Sequence, residues 1–428
     1  MLDKYGKVIQ DLNNDNVDIR LKSLKTLMDK VEQGKIDRPA AGNDVNNHIH
    51  TSYSFSPYSP SKAIWMAYNA GLKTAGIMDH DSISGAEEFI KAGRIVGMAT
   101  TIGVECRVDF SKTPLNGRKI NNPDQDSIVY MALHGIPHNK IDTVKKFFVP
   151  YTAERNERNR KMAARLNELL GPAGIIIDFD NDVVPLSKAK EGGSITERHI
   201  LFAVSRKMID IFGKGQKLVD FLTEKLGLSI SAKLEKLLLD ETNELYDYDL
   251  LGVLKSELVS KFYIEATTEC PDVREVIKLA KDIGAISAYA YLGDVGDSVT
   301  GDKKAQKFED DYIEELFDVI KNLGFNAVTY MPSRNTMEQL KRIKSLCDKY
   351  GMFQISGEDI NSPRQSFICT AARDEEFKNL IVSTWALIGH ENAATENLKK
   401  GMFSAETISK YPDLNERVWI YRKLGHTT

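Results

Sequence analysis

Asn47-His48-Ile49-His50-Thr51 is the stretch on which the reading of this chain turns. Two histidines one residue apart on a strand point to the same side, because side chains alternate with a period of two. A polar run over residues 52–61 follows at once, which places both imidazoles at a strand end, aimed into one opening. Two neutral imidazoles presented together are what a divalent transition metal needs.

Working outward, short apolar runs closed by an ionisable residue recur. Residues 73–78 lead into Asp79-His80-Asp81, residues 99–104 into Glu105, and residues 127–133 into His134. Between the first runs, residues 61–71 carry Ala63, Ile64, Ala67 and Ala70 on one helical face, and residues 84–93 also read as a helix closed by glycine. Strands with continuous apolar sequence, alternating with helices, predict a parallel sheet buried on both sides. Functional groups at the carboxyl ends of successive strands are what a (β/α) barrel presents on its catalytic face. One polar residue at a strand end is usually an ordinary hydrogen-bonded group. Four in succession, all of metal-ligand type, predict a site.

The remaining chain divides around that pattern. Residues 1–43 form an N-terminal helical lead-in, with Ile19, Leu21, Leu24, Leu27, Met28 and Val31 near a 3.6-residue period. Residues 44–151 are the first part of the barrel. Residues 152–262 are rich in Lys, Glu and Leu and poor in strand formers, which predicts a helical insertion with Arg155, Arg158 and Arg160 on a solvated face. Insertions on the catalytic side carry specificity. The alternation resumes over 263–373, with strands at 285–291, 326–331 and 352–356. Residues 374–428 form a helical extension ending in an exposed, aromatic-rich segment at 419–424.

The chain's 428 residues suffice for one barrel-sized domain with additions. A net charge of −4 gives no electrostatic indication of a nucleic-acid partner. No apolar run approaches ~18 residues, so no membrane span is expected, and the charged N-terminal residues predict no secretory signal. Cys106, Cys270, Cys347 and Cys369 are scattered without a CxxC pair; they read as reduced thiols of a cytoplasmic protein and exclude a cysteine zinc site. Six of the eight histidines lie between residues 48 and 199, a bias that a metal centre explains.

The candidate ligands are His48, His50, His80, Glu105, His134 and Asp359. Mixed imidazole and carboxylate donors suit Zn, Mn or Fe, and a bridging carboxylate such as Glu105 holds two ions a few ångström apart. Such ions lower the pKa of water and clamp the oxygens of an in-line displacement at phosphorus. Asp79 is placed to orient an imidazole or take a proton. His138 follows Pro137 in a loop and reads as exposed; His390 and His426 read as structural or exposed. Arg334, just after a strand in Met331-Pro332-Ser333-Arg334-Asn335, is the better candidate for holding a phosphate.

His48-Ile49-His50-Thr51, Met78-Asp79-His80-Asp81 and Gly103-Val104-Glu105, in that order, resemble the PHP superfamily (polymerase and histidinol phosphatase domain). The resemblance covers roughly residues 44–150 and 262–370. It implies a metal-dependent phosphoesterase of the α/β class, on a distorted (β/α)7 TIM-like barrel with an inserted helical subdomain and helical terminal extensions. It implies that His48, His50, His80, Glu105 and His134 are metal ligands, and that Asp359 carries over from the closing Asp-x-His motif. Arg198-His199-Ile200 is similar to the family's arginine-proline-histidine element, which implies that His199 faces the site. In a phosphoesterase, Arg334 or Arg198 is expected to steady the phosphoryl oxygens.

The sequence departs from the pattern at three expected ligand positions. Asn361 stands where the closing motif has histidine, Tyr289 where a late strand has Ala-His-Pro, and Ser54-Phe55-Ser56 where a Ser-Asp-Gly turn is usual. One or two divalent ions are therefore expected rather than three, with Asp294 and Asp297 as possible replacement ligands. The expected substrate is a small-molecule phosphate ester. The alternatives are a PHP-like metal-binding regulatory or ligand-sensing module and, less favoured, amide hydrolysis.

Overall fold

The computed structural model describes residues 2–40, 42–295 and 306–427. Its centre is one seven-stranded sheet of order β1-β2-β3-β4-β5-β6-β7. The strands are β1 (Val45–Ile49), β2 (Thr74–His80), β3 (Ala99–Asp109), β4 (Ile128–His134), β5 (Ile286–Tyr291), β6 (Ala327–Tyr330) and β7 (Phe353–Ser356). Most strand residues are buried whichever way they point, as a sheet covered on both faces requires.

All neighbouring strands are parallel except at β4, which runs antiparallel to both β3 and β5. This corrects the expectation of a wholly parallel sheet. The direction follows from the connection. Residues 110–127 contain only turns and irregular backbone, and a chain that returns without a crossover helix pairs antiparallel.

The sheet curls until its outlet meets its beginning. Ile360 bridges Ile49 in parallel: His50 N donates to Ile360 O at 2.9 Å and Ile360 N to His48 O at 3.1 Å. The Asn46 amide pairs with both N and O of Glu358, and Asn47 Nδ2 donates to Ser356 O at 2.8 Å. Two buried asparagines thus stitch the end of β7 to β1, satisfying backbone groups that a strand edge would leave open.

Helices cover the outside. Pro60–Asn69 and Ala86–Val96 flank β2; Val273–Ile283, Ile313–Leu323 and Met337–Tyr350 precede β5, β6 and β7. The N-terminal helix Val17–Glu32 adds Leu24, Leu27 and Val31 to the main core, anchored by the buried pair Arg20–Glu88 at 2.5 Å. The helix Lys378–Glu396 covers β5–β7 through Ala386 and Leu387. A separate apolar cluster unites the helices Ile141–Leu170, Glu197–Phe212 and Tyr246–Phe262. The first of these is a single 30-residue helix that crosses residue 151. All four cysteines are free and buried.

Candidate metal centre

Extended-chain alternation places His48 of β1 and His50, the residue just after it, on one side, with ring centroids 5.1 Å apart. Parallel register sets His80, the last residue of β2, against Glu105 of β3. The bridge between Ile360 and Ile49 carries Asp359 to the same spot. Glu105 Oε2 lies 3.5 Å from His48 Nε2, 3.2 Å from His80 Nδ1 and 3.8 Å from His50 Nε2, while Asp359 Oδ1 lies 3.1 Å from His50 Nε2. Two overlapping triads result, His48–His50–Asp359 and His50–His80–Glu105, each with its ligand atoms within 4.8 Å of one another.

The Nε2 atoms of His48, His50 and His134 are buried without a hydrogen-bond partner. An orphaned buried polar atom costs about 1–3 kcal/mol, and the His48 and His50 nitrogens beside Glu105 and Asp359 match the donor set of a divalent transition ion. The electrostatics agree. Burial pushes the Glu105 carboxyl up, but the His48 imidazole, itself raised by Glu105, outweighs it and holds the carboxyl below the usual range. Burial, reinforced by His50, lowers His80 to about 3, and burial with His48 lowers His134 to about 3. Both rings are therefore neutral at pH 7, the state in which imidazole ligates. Burial opposes protonation of His48, yet Glu105 raises its pKa.

His134 sits lower than its sequence position implies. Because β4 is reversed, its last residue pairs with Ile286, the first residue of β5, away from the rim that carries His80. It lies outside both triads, although His48 and Glu105 still influence its titration.

Asp79 turns away from the triads into the loop after β1. Its Oδ1 accepts from Thr51 N at 2.6 Å and Ser54 Oγ at 2.7 Å, and its Oδ2 accepts from Thr51 Oγ1 at 2.6 Å. Ser54 Oγ in turn lies 3.3 Å from His50 Nδ1, so Asp79 reaches His50 through Ser54. His199 is drawn into its own helix: its Nδ1 accepts from Thr196 N at 3.0 Å in a capping box, and its ring meets Phe55 edge-on at 5.0 Å. Arg198, one residue earlier, donates to Asn361 Oδ1, and Asn361 Nδ2 donates to Asp359 Oδ1 at 2.6 Å. Arg334 donates to Leu292 O at 3.3 Å, beside the outlets of β5 and β6.

Two expectations for charged residues are overturned. Arg155 and Arg158 are buried rather than solvated. Arg155 pairs with Asp81 and lies 3.5 Å from Glu269; Arg158 pairs with Glu269 at 2.5 Å and Glu197 at 2.7 Å; Arg107 of β3 also pairs with Glu269. Only Arg160 is on the surface, paired with Asp180 at 2.6 Å. His138 is not a free surface residue, since its Nε2 meets the buried Glu391 at 2.8 Å. His390 is buried and accepts from Met402 N, and His426 stacks on Trp385. Sequence reasoning missed Thr51, Ser54, Arg107 and Glu269; the polar run after His50 was the available signal for the first two.

The three departures each have a place. Tyr289 is fully buried, its hydroxyl donating to Glu309 at 3.0 Å. Phe55 packs with Phe202 and Tyr248, and Asn361 holds Asp359. Asp294 accepts from Phe308 N and joins neither triad, while Asp297 lies outside the described residues.

The PHP domain model matches residues 46–327. The chain belongs to the PHP family. The matched span of this PHP chain contains His48, His50, His80, Glu105 and His134 and stops at the start of β6, so Asp359 joins the centre by geometry alone. No curated protein matches this chain. Among solved structures, it is similar to a candidate metal-dependent phosphoesterase from Bifidobacterium adolescentis, with 19% identity, a TM-score of 0.51, and coverage of 81% of this chain and 97% of that one. At that identity the likeness shows a shared fold. An amidohydrolase from Chromobacterium violaceum is similar at 17% identity and a TM-score of 0.48, over 76% of this chain and 89% of that one.

Proposed function

We propose that this PHP chain is a metal-dependent phosphoesterase acting on a small-molecule phosphate ester. The observation that carries the proposal is the convergence of His48, His50, His80, Glu105 and Asp359, with partnerless imidazole nitrogens among them. These residues would hold the ions, with His134 beneath them. When bound, divalent ions such as Zn, Mn or Fe supply a water nucleophile at neutral pH and Lewis acidity at phosphorus. The chain's own residues orient and balance charge. Asp79 fixes His50 through Ser54, and Glu105 stays anionic among the imidazoles. Arg198 and Arg334 are the cations proposed to steady phosphoryl oxygens.

His50 belongs to both triads, and its Nε2 faces both carboxylates. One nitrogen lone pair serves one ion, so this arrangement supports one ion, or two if Glu105 bridges them. We read the curled sheet as a distorted (β/α)7 barrel of residues 44–151 and 263–373. On this reading residues 152–262 are inserted over its mouth and the terminal helices are extensions. Four buried free thiols support a cytoplasmic setting, and among the described residues no helix is long and apolar enough to cross a membrane.

Occupation of three expected ligand positions by Asn361, Tyr289 and Phe55 favours a second reading, a metal-binding regulatory or sensing module. Chelation and add-back separate the two. Protein stripped with a chelator is expected to lose hydrolysis across a panel of nucleotide, sugar-phosphate and generic phosphate esters, and to regain it with Mn2+ or Zn2+. Metal binding with no hydrolysis of any ester would favour the sensing module.

A further inference from the structure

Among the acids and imidazoles of the two triads, Asp359 is the most exposed. Its side chain is 35% exposed, against 1% for His50 and 11% for Glu105. It follows β7 on irregular backbone, whereas His48, His80 and Glu105 stand on strands and His50 directly follows β1. A carboxylate on such a segment loses side-chain freedom when an ion fixes it, and that loss weakens binding unless the group is held beforehand.

Asn361 supplies the hold. Its amide donates at 2.6 Å to Oδ1 of Asp359, the same oxygen that faces His50. Asn361 is 6% exposed and fastened at two further points. Its backbone N donates to Gln365 Oε1 at 2.7 Å, and its side-chain oxygen accepts from Arg198. Arg198 stands in the first turn of Glu197–Phe212, whose start is fixed by the Thr196–His199 capping box and by the Glu197–Arg158 pair. A chain of contacts therefore runs from the helical layer to one ligand oxygen.

We infer that Asn361 and Arg198 are positioning residues that preorganise Asp359, so that the helical layer sets the ion affinity of the His48–His50–Asp359 triad. This rests on the metal-dependent reading above. It gives Arg198 a task at the centre before any substrate arrives, and makes Asn361 a support for a ligand rather than a ligand. Removing groups that support metal ligands typically costs 10–100-fold in affinity.

The test is calorimetric titration of chelator-stripped protein with Mn2+, comparing wild type, Asn361→Ala, Arg198→Met and the double variant. Asn361→Ala is expected to weaken Mn2+ binding at least tenfold and Arg198→Met several-fold. The double variant should be no weaker than Asn361→Ala alone, because the two act in series. The melting temperature of the stripped variants should stay near that of wild type while the rise on adding Mn2+ shrinks. Wild-type affinity in Asn361→Ala, or additive losses in the double variant, would overturn the inference. Should Asn361→Ala fail to fold, Arg198→Met decides, and unchanged affinity there overturns it. Wild-type protein that binds no Mn2+ would instead contradict the metal-dependent reading itself.

Discussion

At the scale of single residues, burial decides what each ionisable group can do. His80 and His134 stay neutral because burial lowers them to about 3. Glu309 shows the same force acting on an acid: fully buried, with one oxygen bonded to Tyr289 and Leu292, it is raised from 4.5 to about 7. As pH rises the unfolded chain ionises first, so the stability this group contributes is complete below about pH 4 and is lost as pH passes 7. Glu309→Gln is expected to remove that slope and, above pH 8, to be the more stable protein by up to roughly 3 kcal/mol. Urea denaturation at pH 5 and pH 8 checks this; identical pH slopes in the two proteins would refute it.

At the scale of elements, most of the seven strands are legible as short apolar runs buried on both faces, and His80 and His134 are legible because they end such runs. The reversal of β4 was not read, although the helix-free, Pro- and Gly-containing segment 110–127 carried the signal. With β4 reversed, His134 pairs with the first residue of β5 instead of standing at the rim. The burial of Arg155 and Arg158 is illegible for a different reason. Their partners Asp81 and Glu269 lie more than 70 residues away in sequence, and no local pattern reports such pairing. Glu269 joins β3 to the helix Ile141–Leu170 by meeting Arg107, Arg155 and Arg158. Neutralising one acid strands buried positive charge, which costs about 3–5 kcal/mol. Glu269→Gln is expected to lose that much stability in urea denaturation, and a loss under 1 kcal/mol would show the cluster to be dispensable.

At the scale of the whole molecule, residues drawn from positions 48 to 359 meet because the sheet curls and the chain after β7 docks on β1. Asn46 and Asn47 make that docking, and neither looked functional in the sequence. The family resemblance was readable from three short motifs, whereas the use made of the departing positions needed coordinates: Asn361 bonds Asp359, Tyr289 bonds Glu309, and Phe55 packs against aromatic rings. The helix Glu197–Phe212 reaches the centre through Arg198, which donates to Asn361.

The proposal that these groups grip cations for hydrolysis is tested most directly by elemental analysis of protein purified without chelators, wild type beside His80→Ala, with phosphate release measured on the same samples. One or two equivalents of Zn, Mn or Fe in the wild type, with most metal and most activity missing from His80→Ala, is the predicted result. Full turnover by a metal-free His80→Ala protein would contradict it.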